Sequence, residues 1–160
     1  MADGAGPLSR QAARIIVRDA SACILLFRGG DPTRPELGTW WFTPGGGVEG
    51  DETVEAAARR ELWEETGFWA DELGDVVFRR DVEFDFAGVS YRQSEVFFAV
   101  ALSEAARVSS SRWTELERQS IVESRWWPVS ELVTAGVVVH PAELGEVVGS
   151  IEAWGTAVAG

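Results

Sequence analysis

Three glutamates near the middle of the chain, Glu61, Glu64 and Glu65, stand at i, i+3 and i+4. On a 3.6-residue helical period that spacing puts their carboxylates on one face, within reach of a common point. Three like charges so placed repel one another unless a cation sits between them. An all-oxygen set suits a hard ion such as Mg²⁺ or Mn²⁺ rather than zinc. Taken alone, the cluster also reads as a solvated acidic face. Its surroundings favour the metal: Gly45, Gly46 and Gly47 come just before the helix, and glycine serves where backbone must approach a ligand closely or take positive φ. A glycine-rich turn entering a helix would leave N–H groups near the positive end of the helix dipole, where phosphate oxygens bind. Arg60, beside Glu61, is able to pair with a neighbouring carboxylate and hold it in one rotamer, or to reach a phosphate as a fork donor.

Gly46, then five residues, Glu52, then seven residues, then Arg60-Glu61-Leu62-Trp63-Glu64-Glu65-Thr66-Gly67-Phe68 resembles the signature of the Nudix hydrolase superfamily, GX5EX7REUXEEXGU with U a bulky aliphatic residue. Phe68 is the one departure; it stays large and apolar, so it is expected to alter packing rather than chemistry. The resemblance implies a metal-dependent hydrolase that cleaves a diphosphate linkage in a nucleoside diphosphate linked to a further moiety, by water attack on phosphorus. It implies Glu61, Glu64 and Glu65 as ligands of Mg²⁺ or Mn²⁺, with the Gly45 carbonyl as a further ligand, and Arg60 orienting a ligating glutamate. Glu52 is expected to brace the loop by accepting backbone hydrogen bonds. The general base is a signature glutamate or a carboxylate from a loop outside it, with Glu115, Glu117 and Glu123 as candidates. Gly46, Gly47, Arg28 and Trp41 are the expected substrate contacts, with Trp40 as the alternative to Trp41, since neighbouring strand residues face opposite ways. A Nudix-fold binding or regulatory module without turnover is the alternative; the presence of all three acidic ligands favours the enzyme. Patterns that mark the ADP-ribose, dinucleoside polyphosphate and coenzyme A groups of the family are missing around Phe84, Phe86 and Arg28, which leaves a nucleoside triphosphate or similar nucleotide as the expected substrate.

The elements that must position these residues fit one domain. The chain has 160 residues, 46% hydrophobic, enough for one substantial core. Residues 1–10 read as a loose tail and 11–160 as a single Nudix-type domain. Residues 12–18 and 21–28 read as two adjoining strands, the second largely buried, and 29–38 as a loop. Gly67 suits a helix C-cap. Residues 76–86 alternate, with Arg80 on the same face as Val76, Phe78, Val82, Phe84 and Phe86; Ala87-Gly88 turns the chain into a returning strand over 89–102. A short strand over 121–129, a short helix capped by Ser130 and a final helix starting at Pro141 follow. Strands on both sides of the central helix make the fold class α/β, similar to the Nudix-type α/β/α sandwich with a mixed β-sheet.

A net charge of −12 argues against broad nucleic-acid binding or attachment to an anionic membrane through a basic surface. It is compatible with a nucleotide or other diphosphate as partner, because a bound cation and a few arginines supply local positive field. A homodimer is left open. The single cysteine, Cys23, excludes an internal disulfide and lies in an apolar run, where a structural thiol is expected rather than a nucleophile. With no apolar leader in the first residues and no long apolar run, a cytoplasmic protein is expected. His140 before Pro141 reads as a turn residue rather than a catalyst.

Overall fold

The computed structural model describes residues 6–104 and 106–159. The expected loose tail falls partly on residues 1–5, which lie outside the described residues. Strand β1 begins at Leu8 (Leu8–Arg18), so Leu8, Ser9 and Arg10 belong to the sheet rather than to a tail. Nothing in their composition announces a strand; they are held by parallel pairing with Tyr91, Arg92 and Gln93 of β7 (Val89–Leu102), which a local reading cannot foresee.

The other strands are β2 (Cys23–Gly29), β3 (Trp40–Phe42), β4 (Gly45–Gly47), β5 (Phe68–Glu72), β6 (Phe78–Phe86), β8 (Ile121–Pro128), β9 (Val139–His140) and β10 (Gly155–Ala159). Among the described residues they form one mixed sheet in the order β5-β10-β7-β1-β2-β3-β9, with β4 joined to β1, β6 to β7 and β8 to β2. The expected hairpin is present, β6 and β7 pairing antiparallel from Phe78↔Phe97 to Phe86↔Val89 around Ala87-Gly88. Strands β1 and β2, expected as neighbours, pair only at Arg18↔Ile24. Beyond that point they diverge, with β3 paired to β2 and β4 paired to β1 in the gap, while β8 lines the other edge of β2.

Helix α1 (Val54–Thr66) starts where Thr53 accepts from the Ala56 N–H and ends at Gly67, which takes the left-handed conformation at φ 79°. Its apolar side, Ala57, Ala58 and Leu62, packs on Ala13, Ile15 and Val17 of β1 and on Val96, Phe98 and Val100 of β7. The alternate strand residues, Ile16, Phe97 and Ala99 with Trp41 and Trp127, face the opposite way and pack on Leu132 of α3 (Val129–Thr134) and Leu144 and Val147 of α4 (Leu144–Ser150). That period-2 division gives helices on both faces of the sheet, the expected α/β/α layering.

Three further departures matter. Helix α2 (Glu115–Ser120) lies in the segment whose composition gave no element. Helix α3 starts at Val129 with Pro128 at its N-cap, two residues before the expected Ser130 cap; the fixed φ of proline suits a helix entry. Cys23 stands at the start of β2 and is only half-buried.

Candidate active site

The glycines do not form a free turn at the helix start. Gly45–Gly47 are strand β4, paired antiparallel with Ala12, Ala13 and Arg14 of β1, and residues 48–53 separate them from α1. The expected phosphate cradle at the helix N-terminus is therefore corrected: β4 lies across the C-terminal half of α1, against the glutamates. The Gly45 N–H donates to Glu65 Oε2 at 3.3 Å. A Cβ on Gly46 would lie 2.6 Å from Glu61 Oε1, and one on Gly45 2.3 Å from the Ala13 carbonyl oxygen. Glycine is needed here because carboxylate and strand both press against the backbone.

Glu61 and Glu65 of α1 and Glu117 of α2 bring carboxylate oxygens within 4.8 Å of one another. Glu64 is not part of that group. Its carboxylate accepts from Arg60 Nη1 at 3.1 Å and its side chain is 40% exposed. Glu65 is buried; burial first, then the charges of Glu61 and Glu117, push its carboxyl well above the usual range. Burial also raises Glu61, against the pull of Arg60. Acidic side chains so buried and so close fit a cation between them, and their all-oxygen character fits Mg²⁺ or Mn²⁺.

Arg60 is the hub that holds this arrangement. Its Nε and Nη2 donate to both oxygens of Glu52 at 2.9 and 2.7 Å, Nη1 to Glu61 Oε1 at 3.0 Å, and Nη2 to the Gly47 carbonyl at 3.0 Å. Glu52 accepts the Glu49 N–H at 3.0 Å as well, the loop brace expected of it. Hydrogen bonds from Arg60 hold its carboxyl down to about 2.

Of the three carboxylates outside the signature, only Glu117 reaches the cluster. Glu115 accepts from Gln119 at 3.3 Å on the surface, and Glu123 pairs with Arg28 at 2.8 Å. Glu117 is fixed by a reciprocal cap: its Oε1 accepts the Thr114 N–H at 2.8 Å while Thr114 Oγ1 accepts the Glu117 N–H at 3.1 Å. The preceding Trp113 ties this helix to α1, its indole N–H donating to the Glu65 carbonyl at 2.8 Å. The pattern Thr114-x-x-Glu117 is a capping-box signal that would have located α2 from the sequence.

A cavity of about 630 Å³ opens beside the carboxylates, with Gly45, Gly46, Glu65 and Glu117 on one wall and Trp40, Phe42, Phe84 and His140 among the others. Trp40 stands in that wall, whereas Trp41 is in the core, edge-on to Trp127 with ring centroids 5.1 Å apart. Arg28 does not line the cavity: besides Glu123 it donates to Thr39 Oγ1 at 2.9 Å, the ion-pair role rather than a phosphate contact. Gly47 offers its carbonyl to Arg60, and the Gly45 carbonyl accepts from Arg14 Nη1 at 3.3 Å. Arg10, Arg14, Arg80 and Glu95 also line the cavity and were not foreseen. Arg80, a lone cation among the apolar residues of its strand face, carried the signal.

Among the described residues no helix is long and apolar enough to cross a membrane. No curated protein matches the sequence. The fold resembles the MutT protein from Methanosarcina mazei Go1, at 20% identity and a TM-score of 0.64, covering 91% of this chain and 94% of that one. It also resembles the E. coli ORF135 protein, at 18% identity and a TM-score of 0.60 over 90% and 89% of the two chains. A MutT NUDIX hydrolase from Burkholderia pseudomallei aligns at 18% identity and a TM-score of 0.58 over 86% of this chain and 95% of that one. The model of the NUDIX domain matches residues 8–147, a span that holds the glycine strand, the acidic helix, Arg60 and Glu117; this chain belongs to the Nudix hydrolase family.

Proposed function

We propose that the protein hydrolyses a diphosphate linkage in a nucleoside diphosphate joined to a second moiety, with a nucleoside triphosphate or similar nucleotide as substrate. The observation that carries this is the meeting of Glu61, Glu65 and Glu117 within 4.8 Å at the wall of a cavity of about 630 Å³, a volume suited to a nucleotide. Those three carboxylates would hold Mg²⁺ or Mn²⁺, with Glu64 and the Gly45 carbonyl as the further donors that the family pattern implies. When bound, the ion neutralises phosphate oxygens and lowers the pKa of water. Arg60 keeps Glu61 in one rotamer while bracing the loop through Glu52, and Gly46 lets the strand lie against the Glu61 carboxylate. Of the carboxylates outside the signature, Glu117 is the one in reach to accept the proton of the attacking water; its Oε1 is held by the Thr114 cap. Trp40, rather than Trp41, is the aromatic side chain placed to stack on a base.

The test is a hydrolysis panel of nucleotides, nucleotide sugars, dinucleoside polyphosphates and capped RNA with Mg²⁺, Mn²⁺ or EDTA. Turnover that needs the metal is expected, with nucleoside triphosphates among the best substrates. Turnover persisting in EDTA would remove the mechanism, and none on any compound would mark a binding module.

A further inference from the structure

Three neighbouring strands bring five polar side chains together on the cavity floor. In register, Glu95 of β7 stands opposite Arg80 of β6 on one side and Ala12 of β1 on the other, with Gln93 opposite Arg10. The Glu95 side chain is 1% exposed. Its Oε1 accepts from Arg80 Nε, and its Oε2 accepts from Arg14 Nε at 3.2 Å and from Gln93 Nε2 at 2.6 Å. Gln93, also buried, accepts from Arg10 Nε. A buried carboxylate is costly unless both its oxygens are partnered, as they are here. Although burial works against it, the adjacent Arg14 and Arg80 hold the Glu95 carboxyl below its ordinary value.

Within the platform Arg10, Arg14 and Arg80 share the one carboxylate of Glu95, while Glu61 and Glu65 of the neighbouring cluster act on Arg10 and Arg14 only through their charge. Nearby at the rim, Glu83 and Asp85 are engaged by Arg92 and Ser90. Arg14 gives Nη1 to the Thr43 and Gly45 carbonyls at 3.4 and 3.3 Å. Arg10 and Arg80 differ: among the described residues neither donates a hydrogen bond from a terminal nitrogen to a protein acceptor. The Arg10 guanidinium also lies over the Tyr91 ring, 4.2 Å from its centroid, which fixes its plane. A guanidinium anchored through Nε with its terminal nitrogens free offers the planar fork that matches a phosphate. In a chain of net charge −12, this floor is a local inversion of sign.

We propose that Arg10 and Arg80, seated on Glu95 and Gln93, form an anion subsite that takes a phosphoryl group of a diphosphate independently of the carboxylate cluster. Its place in turnover rests on the hydrolase reading, whereas its binding chemistry does not. The probe is therefore inorganic pyrophosphate in EDTA, followed by calorimetry. Wild type should bind; Arg10→Ala and Arg80→Ala should each weaken binding about tenfold or more, as for loss of charge-assisted hydrogen bonds. Arg80→Lys should fall between, keeping charge without the fork. Arg79→Ala, on the exposed face of the same strand, should bind like wild type. Should Arg80→Ala unfold for want of a Glu95 partner, the pair Arg80→Met with Glu95→Gln removes both charges; its melting curve reports folding and its binding should still be weak. No binding by wild type, unchanged binding in both arginine variants, or equal weakening in Arg79→Ala would overturn the subsite. Pyrophosphate binding without hydrolysis of any compound in the panel would instead sink the enzyme reading and leave the subsite standing.

Discussion

Trp40 and Trp41 are adjacent in the chain and have opposite surroundings. Strand alternation requires that division, and it was legible in the sequence; which tryptophan faced the cavity was not, because the face of a three-residue strand is set by its partners. Removing Trp40 takes away a cavity wall, whereas removing Trp41 opens a hole beside Trp127. Trp40→Ala should raise KM for nucleotides by an amount matching about 1–3 kcal/mol, the range for a base stacked on an aromatic, with kcat nearly kept. Trp41→Ala should instead lower the melting temperature, at a cost of about 3–5 kcal/mol for a buried aromatic. Kinetics and melting curves of both single variants decide it; a loss of stability alone in both would end base stacking at this wall. Glu117 shows the same limit of local reading. It was one of three equivalent surface acids until the tertiary structure placed it against Glu61 and Glu65.

Helix α1 was the most legible element, because its cap at Gly67, its apolar stripe and its glutamates all follow the 3.6-residue period. The glycines before it misled, since a triple glycine carries no side-chain alternation from which a strand could be read, and its pairing with β1 is visible only in the fold. The link between that strand and the helix is Arg60, and its grip on Glu52 has a pH signature. The Glu52 carboxyl is lowered from 4.5 to about 2, chiefly by hydrogen bonds from Arg60. A depressed folded-state value means stability fully present above about 4.5 and lost as pH falls towards 2. Glu52→Gln should therefore melt lower than wild type at neutral pH, and the two curves should converge as pH drops through that window. Melting temperature against pH is the measurement, and a difference that stays constant down to pH 2 would show that Glu52 does not act through its charge.

Across the whole molecule, stability and chemistry are set against each other at Glu65. Its carboxyl is raised by burial and by Glu61 and Glu117, so holding this acid in the metal-free fold at neutral pH is destabilising, and a cation that binds only the folded chain reverses this. In EDTA, Glu65→Gln should melt above wild type, while in saturating Mg²⁺ that advantage should vanish and kcat should fall by about 10² or more. A variant that melts no higher in EDTA would mean that the cluster carries no repulsion. The overall α/β/α layering was legible from alternation and helical period. The sheet order was not, because β1 and β10 both pair in parallel with β7, and parallel pairing leaves no turn between partners to be read.

That central position of β7 governs the order in which the molecule is assembled. Arg10 and Gln93 are 83 positions apart, and β1 and β10 both pair in parallel with β7. Contacts of such long range are slow to close, since the loop entropy is lost before the pairing is gained. Helix α1 makes its backbone hydrogen bonds locally, but its apolar face packs on β1 and β7, so it is held in place only once those strands have paired. The cavity is thus among the last parts of the chain to be completed during folding, since its arginine floor needs β7 and its third carboxylate, Glu117, comes from α2 further along the chain.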